Sequence, residues 1–507
     1  MVFPVVGGTQ DTGYEISNSF RTGASSSTPT SNAYLKNTLS SAATEETFTV
    51  SAWVKLSGTL GNSFYIWGGN QPNSSPYQYS YFRFIDTSGT ASQTIHFKGT
   101  QDDGTNFDIE SNALFRDPSA WYHAVLSVDT TQGTASNRVK IYINGSQLTS
   151  LQTSNYPSQN AGIRSSSNGA MQTVGTWNYE NTNYAPNDDG YISEFYFIDG
   201  QALDPTYFGE TNDNGVWVPK NYTGTYGTHG VRFEFKQTGS GTNSSGIGAD
   251  TSGNDNHFAV TNSATTDITT DTPTNNFCTL NPLVPHHSIF DAETEGNTGL
   301  SSSGVQLRGG YMGSTIMPTS GKWYFEVKIV SITNSTDRTG IAIPRFESVT
   351  GDDHIEGGDY AGFTLSTGST GRVFVTEGSS TTETDNSDYA FVNNDIAIFA
   401  VDMDASTPRV YVGKNGTWFT TSAGSGGNPA SDTGYFEVNL NTGGSGFSVG
   451  ARHSAGASAA QSYLYNFGQP AYTISSGNSD ANGYGNFEYA VPSGYYSICT
   501  KNLAEYG

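Results

Sequence analysis

Apolar and polar residues alternate in short runs along most of the chain, and a period of two predicts β-strands with one face inward. In Trp121-Tyr-His-Ala-Val-Leu-Ser-Val-Asp129, Trp121, His123 and Val125 share one side, while Tyr122, Ala124, Leu126 and Val128 share the other. Both sides are rich in apolar groups, so both faces of this strand are expected to be covered. In Arg138-Val-Lys-Ile-Tyr-Ile-Asn144-Gly145, Val139, Ile141 and Ile143 line one face and Arg138, Lys140 and Tyr142 the other. Asn144-Gly145 then predicts a turn with positive φ. Similar runs recur at Phe48–Leu56, Tyr81–Ile85, Tyr191–Ile198, Lys322–Val330, Asp395–Asp402 and Arg409–Val412. Short strands separated by turn signals predict sandwiches or barrels. Asp204-Pro205 predicts one short helix, with Asp204 as N-cap.

Composition supports this picture and sets limits on function. A chain of 507 residues is too long for one core. Apolar residues make up 34% and aromatics 13%, which predicts aromatic cores joined by polar turns. The net charge of −24, with 22 basic residues, argues against nucleic-acid binding, which needs clustered Lys and Arg. No apolar stretch is long enough to cross a membrane as a helix, and Met1–Val6 lacks the basic start of a secretory signal. Cys278 and Cys499 form no disulfide framework; two reduced thiols are expected, with a single bridge as the alternative if the ends of the second unit meet. The run patterns divide the chain into an N-terminal arm or attachment peptide (1–20), a folded unit (21–220), a connecting segment packed on its neighbours (221–284) and a second folded unit (285–507).

Glycan binding needs aromatic faces beside amide and acid groups. Two loop-rich stretches offer these: Trp67, Asn70, Tyr77 and Tyr79, and Trp177, Asn178, Tyr179 and Tyr184. The alternative for each residue is core or inter-subunit packing. His123, in mid-strand, reads as a satisfied interior histidine. Asp352-Asp-His-Ile-Glu356 with Asp359 reads as a solvated acidic loop that fits no metal-loop spacing. Glycoside cleavage needs two carboxylates facing across a cleft. No Glu-x-Asp-x-x-Glu strand and no supported nucleophile elbow occurs, so no enzyme activity is expected.

Phe48–Lys55, Trp121–Val125 with Asp129, Arg138–Gly145 and Asp189-Gly-Tyr-Ile-Ser-Glu-Phe195 together resemble the successive strands of laminin-G-like (concanavalin A-like) domains. Gly321–Val327, Gly340–Ala342, Asn394–Asp402, Val410-Tyr411 with Asn415-Gly416, and Asn466–Pro470 resemble SPRY domains. The resemblances imply an all-β chain of two concanavalin A-like jelly-roll sandwiches in tandem. Some laminin-G-like domains hold calcium at a sandwich edge. That makes Asp188, Asp189 and Asp199 candidate calcium ligands, though no cofactor is expected to be required.

The pairing, joined through Phe197–Leu203, Gly215–Lys220 and Thr272–Pro282, resembles virion structural proteins of tailed, especially marine, bacteriophages. It implies a non-enzymatic tail fibre or other appendage that attaches to a host surface glycan or protein. A capsid decoration or connector protein and a polysaccharide depolymerase are the alternatives. The implied partners are other virion proteins and a host receptor, without nucleic acid or membrane insertion. The implied location is the virion, after assembly in the host cytoplasm. A homo-oligomer is expected, a trimer being one form, although no heptads specify it.

Overall fold

The computed structural model describes residues 13–22, 33–57, 63–71, 78–86, 93–163, 167–180, 183–185, 187–283, 292–302, 310–311, 313–333, 340–345, 361–368, 371–377, 380–385, 387–421, 424–440, 446–453 and 460–507. The chain is all-β in character, as expected, and forms two sandwich units. They are Gln10–Thr274 and a C-terminal unit starting at Asn275.

In the N-terminal unit the first sheet runs Ser146–Gln147, Val139–Ile143, Trp121–Asp129, Thr47–Leu56, Gly190–Asp199, Ser19–Arg21, Ile268–Thr269. Val231–Phe233 also pairs with Gly190–Asp199. The second sheet runs Leu151–Asn155, Asn106–Ser111, Thr94–Thr100, Gln78–Ile85, Ser63–Gln71, Met171–Val174, Tyr34–Thr38, Ala259–Thr261. Alternation sends Phe48, Val50, Ala52 and Val54 from the first sheet, and Phe64, Phe82, Phe84, Ile95 and Phe97 from the second, into one shared core.

The outer face of the first sheet is also covered. Val125, Tyr196 and Ile198 pack under Leu203, Phe208 and Tyr222. Within that cover Pro205–Tyr207 forms a 3-10 turn, and Asp204 caps it by accepting from the Thr206 amide at 2.9 Å. The chain also has an α-helix that the run patterns did not predict, Thr500–Tyr506.

Two boundaries differ from the expected ones. Residues 13–20 are not a free arm: Ser19–Arg21 is a sheet strand between Gly190–Asp199 and Ile268–Thr269. Polar anchors, which carry no periodic signal, hold it there. Tyr14 donates to Glu194 at 2.7 Å, and Arg21 donates to the Thr266 carbonyl at 2.7 Å. Residues 221–274 complete the first sandwich, supplying Val231–Phe233, Ala259–Thr261 and Ile268–Thr269 to its sheets. Val231-Arg-Phe-Glu-Phe235 alternates and reads as a strand, whereas Ala259–Thr261 and Ile268–Thr269 have only three and two residues, too short to show a period.

The C-terminal unit pairs a nine-stranded sheet centred on Lys322–Ile332 and Ile396–Asp402 with a six-stranded sheet centred on Gly340–Pro344 and Ala361–Ser366. Trp323, Phe325, Val327 and Ile329 face its core. Tyr324 belongs to a second cluster on the opposite side, with Tyr472 and Phe487. Glu326 lies on that side too and is fully buried. Its carboxylate accepts from Tyr324 OH (2.9 Å), Tyr472 OH (3.0 Å), Asn466 Nδ2 (3.3 Å) and the amides of Glu488 (3.0 Å) and Tyr489 (2.8 Å).

One hairpin device serves both units. Asn144 and Asn415 take positive φ of 47° and 50°, each followed by glycine. Asn144 Oδ1 accepts from the His123 amide at 2.8 Å, and Asn415 Oδ1 from the Ile396 amide at 2.9 Å. Each asparagine thus closes its hairpin with its side chain as well as its backbone.

Candidate functional site

The face of the second sheet turned away from the core carries the densest set of chemically useful side chains. Four neighbouring strands build it. Tyr65 comes from Ser63–Gln71, Tyr79, Tyr81 and Arg83 from Gln78–Ile85, His96 and Lys98 from Thr94–Thr100, and Asp108 and Glu110 from Asn106–Ser111. The register sets them side by side: Tyr65 opposes Arg83, Arg83 opposes His96, His96 opposes Glu110, and Lys98 opposes Asp108. Each alternates with a core residue such as Phe82, Phe84, Phe97 or Ile109.

Trp177 completes an aromatic platform from the loop after Met171–Val174. Its ring centroid lies 5.1 Å from Tyr79, 4.9 Å from Tyr81 and 6.2 Å from Tyr65. Trp177 and Tyr79 are half-buried, which leaves part of each ring open to a ligand. The loop is pinned from below. Asn70 Nδ2 donates to Asn178 Oδ1 at 2.5 Å, and Thr173 Oγ1 donates to the Thr176 carbonyl at 2.7 Å. Gly68 admits the loop, because a Cβ there would stand 3.1 Å from the Trp177 Cα.

Arg83 organises the phenols. Its Nη1 donates to Ser63 Oγ (2.9 Å) and Tyr65 OH (2.8 Å), and its Nη2 to Tyr81 OH (3.3 Å). The guanidinium carbon lies 4.4 Å from the Tyr81 ring centroid, a cation–π contact. Burial pushes the Tyr65 and Tyr81 phenols up, with Arg83 opposing, so both are neutral donors at ordinary pH. His96 Nε2 meets Asp108 Oδ1 at 2.7 Å, and Lys98 Nζ meets Asp108 Oδ2 at 2.9 Å. Burial lowers the His96 imidazole against the pull of Asp108. Burial would raise Asp108, but Lys98 and His96 outweigh it and hold the carboxyl below its usual range. Glu110 accepts from Thr94 Oγ1 at 2.6 Å.

His96, Asp108 and Glu110 bring potential metal-ligand atoms within 4.8 Å of one another. The donor set nevertheless fits a cation poorly. The Lys98 ammonium already neutralises Asp108, and His96 spends Nε2 on the same carboxylate.

The residues expected to bind glycan do not all meet at one place. Tyr79 and Trp177 meet on the platform. Trp67 is fully buried in the sandwich core beside Phe48 and Phe197, so it is packing and not a binding face. The cause is a bulge between Tyr65 and Trp67, which lets both Ile66 and Trp67 join the core. Asn70 and Asn178 are buried and brace the loop. Tyr184 is half-buried and stacks on Tyr34 at 4.6 Å, away from the platform cluster. Tyr77, like the 352–359 acidic loop, lies outside the described residues, and so does the side chain of Tyr179.

The candidate calcium ligands are not brought together. Asp188 and Asp189 precede the ten-residue strand Gly190–Asp199, and Asp199 ends it. That span is about 30 Å, so no single ion can touch both ends. Asp199 accepts from the Thr44 amide (2.7 Å) and the His229 amide (3.1 Å), and Asp188 accepts from Gln93 Nε2 (3.1 Å).

The sequence reasoning missed Tyr65, Tyr81, Arg83, His96, Lys98, Asp108 and Glu110. Their signal is the polar half of each alternation, Tyr79-x-Tyr81-x-Arg83, His96-x-Lys98 and Asp108-x-Glu110. The strand order that gathers them is not written in any one run.

His123 is a closed interior group. Trp217 Nε1 donates to His123 Nδ1 at 3.0 Å, and Ser51 Oγ lies 2.9 Å from Nε2. Trp53 stacks on the ring at 4.8 Å. Burial pushes the imidazole down to about 3.

The concanavalin A-like lectin/glucanases superfamily matches residues 27–206. The match spans both sheets of the N-terminal sandwich, including every strand of the platform. No curated protein sequence matches the chain. Among solved structures, a heptameric SAP-like pentraxin from Limulus polyphemus is similar at 16% identity, covering 38% of this chain and 79% of its own, with a TM-score of 0.28. The SPRY domain of human HERC1 is similar at 15% identity, covering 34% and 89%, with a TM-score of 0.24. The carbohydrate-binding module CBM66 from Bacillus subtilis is similar at 8% identity, covering 33% and 81%, with a TM-score of 0.19. Glycoside hydrolases and a lyase also occur among similar structures, at 10% identity or less. At these scores the likenesses carry no argument about function.

Proposed function

We propose that the chain is a non-enzymatic, glycan-binding appendage protein of a tailed-bacteriophage virion, and that the platform on the second sheet is its receptor surface. The observation that carries the glycan part is the cluster of Trp177, Tyr79, Tyr81 and Tyr65 beside Arg83, His96, Lys98 and Asp108. Sugar rings stack their C–H faces on aromatic rings and present hydroxyls to charged and amide groups at the rim. Two half-open rings beside a fixed row of donors and acceptors offer both. The virion setting rests on the order of laminin-G-like and SPRY-like motifs. The expected partners are other virion proteins and a host surface polysaccharide.

Binding of the full chain to host polysaccharide tests the reading. Trp177→Ala should weaken it about tenfold, since one stacking contact is worth about 1 kcal/mol or slightly more. The melting temperature should move little. Unchanged binding by Trp177→Ala with Tyr79→Ala would remove the platform from consideration. Labelling of the virion with an antibody against the chain tests the setting, and a signal on the capsid shell alone would favour a decoration protein.

One observation favours a depolymerase as the second reading. Asp108 and Glu110 stand on one face with carboxylate oxygens within 4.8 Å, near the separation of a retaining pair. Release of reducing ends that disappears in Glu110→Gln would establish it.

A further inference from the structure

Lys55 and Asp271 form an ion pair in the N-terminal unit, with Nζ 2.8 Å from Oδ2 and side-chain exposures of 1% and 0%. A dry ion pair is a costly way to hold two segments together, because both charges have left water. Everything around it fixes the two reacting groups. Trp121 Nε1 donates to the other Asp271 oxygen at 3.3 Å. The Tyr191 ring lies 5.5 Å from the ammonium. Ser19 Oγ donates to the Asp271 carbonyl at 2.6 Å, and the Asp271 amide donates to Thr269 Oγ1 at 3.1 Å.

We infer that Lys55 and Asp271 condense to an intramolecular amide. The reaction begins as the Lys55 nitrogen hands one hydrogen to Oδ2 across the 2.8 Å contact and so becomes the nucleophile. The oxygen at 2.8 Å is bonded to Cγ, so Nζ lies within about 4 Å of that carbon, and a small rotation of the carboxyl brings it to near-attack range, about 3–3.5 Å. The Trp121 N–H polarises the oxygen that stays. Nζ bonds to Cγ, the Cγ–Oδ2 bond breaks, and Oδ2 leaves as water with two hydrogens taken from Nζ across the 2.8 Å contact. No oxidant, reductant or co-substrate takes part. The product removes both buried charges and closes a covalent loop between residues 216 apart in sequence. That loop spans most of the N-terminal unit and restrains its unfolded chain. This inference does not depend on the glycan-binding reading.

Mass spectrometry of the full-length purified chain decides it. The folded protein should be one water lighter than its sequence, and a tryptic digest should contain the Lys55 peptide joined to the Asp271 peptide. Lys55→Met should restore the full sequence mass. Separate Lys55 and Asp271 peptides from folded wild-type protein would overturn the amide and leave an ion pair only. That measurement needs no variant, so a misfolded Lys55→Met cannot obscure it.

Discussion

Acid should destabilise the N-terminal unit through His123, and the structure gives the size of the effect. Trp217 Nε1 can only donate, so the His123 Nδ1 that it meets at 3.0 Å must carry no proton. Nε2 then carries the ring hydrogen and donates to Ser51 Oγ at 2.9 Å. A second proton would have to enter at Nδ1, against the Trp217 N–H, on a ring that is closed off from solvent. Burial accordingly lowers the imidazole from its ordinary 6.5 to about 3. A depressed folded-state value means that the stabilisation is present above pH 6.5 and is lost as the pH falls toward 3. Over the roughly 2.5 pH units between 6.5 and 4, at about 1.36 kcal/mol per unit, the loss is about 3 kcal/mol. For a unit of this size that is a fall of about 10 °C in melting temperature. Carboxylates titrate in the same window, so the readout is a difference. His123→Gln should be less stable at pH 7, yet lose about 3 kcal/mol less than wild type on going to pH 4 in urea unfolding. Equal pH dependence in the two proteins, or a His123 imidazole resonance titrating near 6.5, would refute the reasoning.

Three further outcomes follow from the same structure. Gly145→Ala should destabilise by about 1–2 kcal/mol from positive φ alone. It should also push Trp217 off His123, since a Cβ there would meet the indole at 2.5 Å; a blue or red shift in tryptophan fluorescence and a higher His123 pKa report it. Glu326→Gln should lower the melting temperature of the C-terminal unit, because an amide NH2 must face the Glu488 or Tyr489 amide; an unpaired buried donor costs about 1–3 kcal/mol, and an unchanged transition would exclude the network as a clamp. Cys278 and Cys499 are free and buried, and burial raises the Cys499 thiol to about 11; a thiol reagent at pH 8 should label neither until denaturant is added, and fast labelling of the native chain would contradict the packing.

Much of the architecture was readable from local pattern. The alternation at Trp121–Asp129 predicted a strand covered on both faces, as the structure has it, and that at Lys322–Val330 predicted a strand, which the structure also covers on both faces. Asn144-Gly145 and Asp204-Pro205 predicted a hairpin turn and a capped short helix from backbone chemistry alone. Local pattern failed where a strand had two or three residues and polar anchors held it, as at Ser19–Arg21 and Ile268–Thr269. It also failed at Trp67, where one bulge residue turned an expected binding face into core.

The sequence by itself determined the class of fold, the strands with clear period and the turn chemistry, because each depends on residues within one run. It also held both halves of the platform, Tyr79 and Trp177, without showing that they meet. Only the tertiary structure decided that. Pairing Met171–Val174 beside Ser63–Gln71 sets Trp177 over Tyr81, and pairing Gln78–Ile85 with Thr94–Thr100 sets Arg83 beside His96. Cross-strand neighbours are fixed by hydrogen-bond register between segments far apart in the chain, and no single segment encodes its partner.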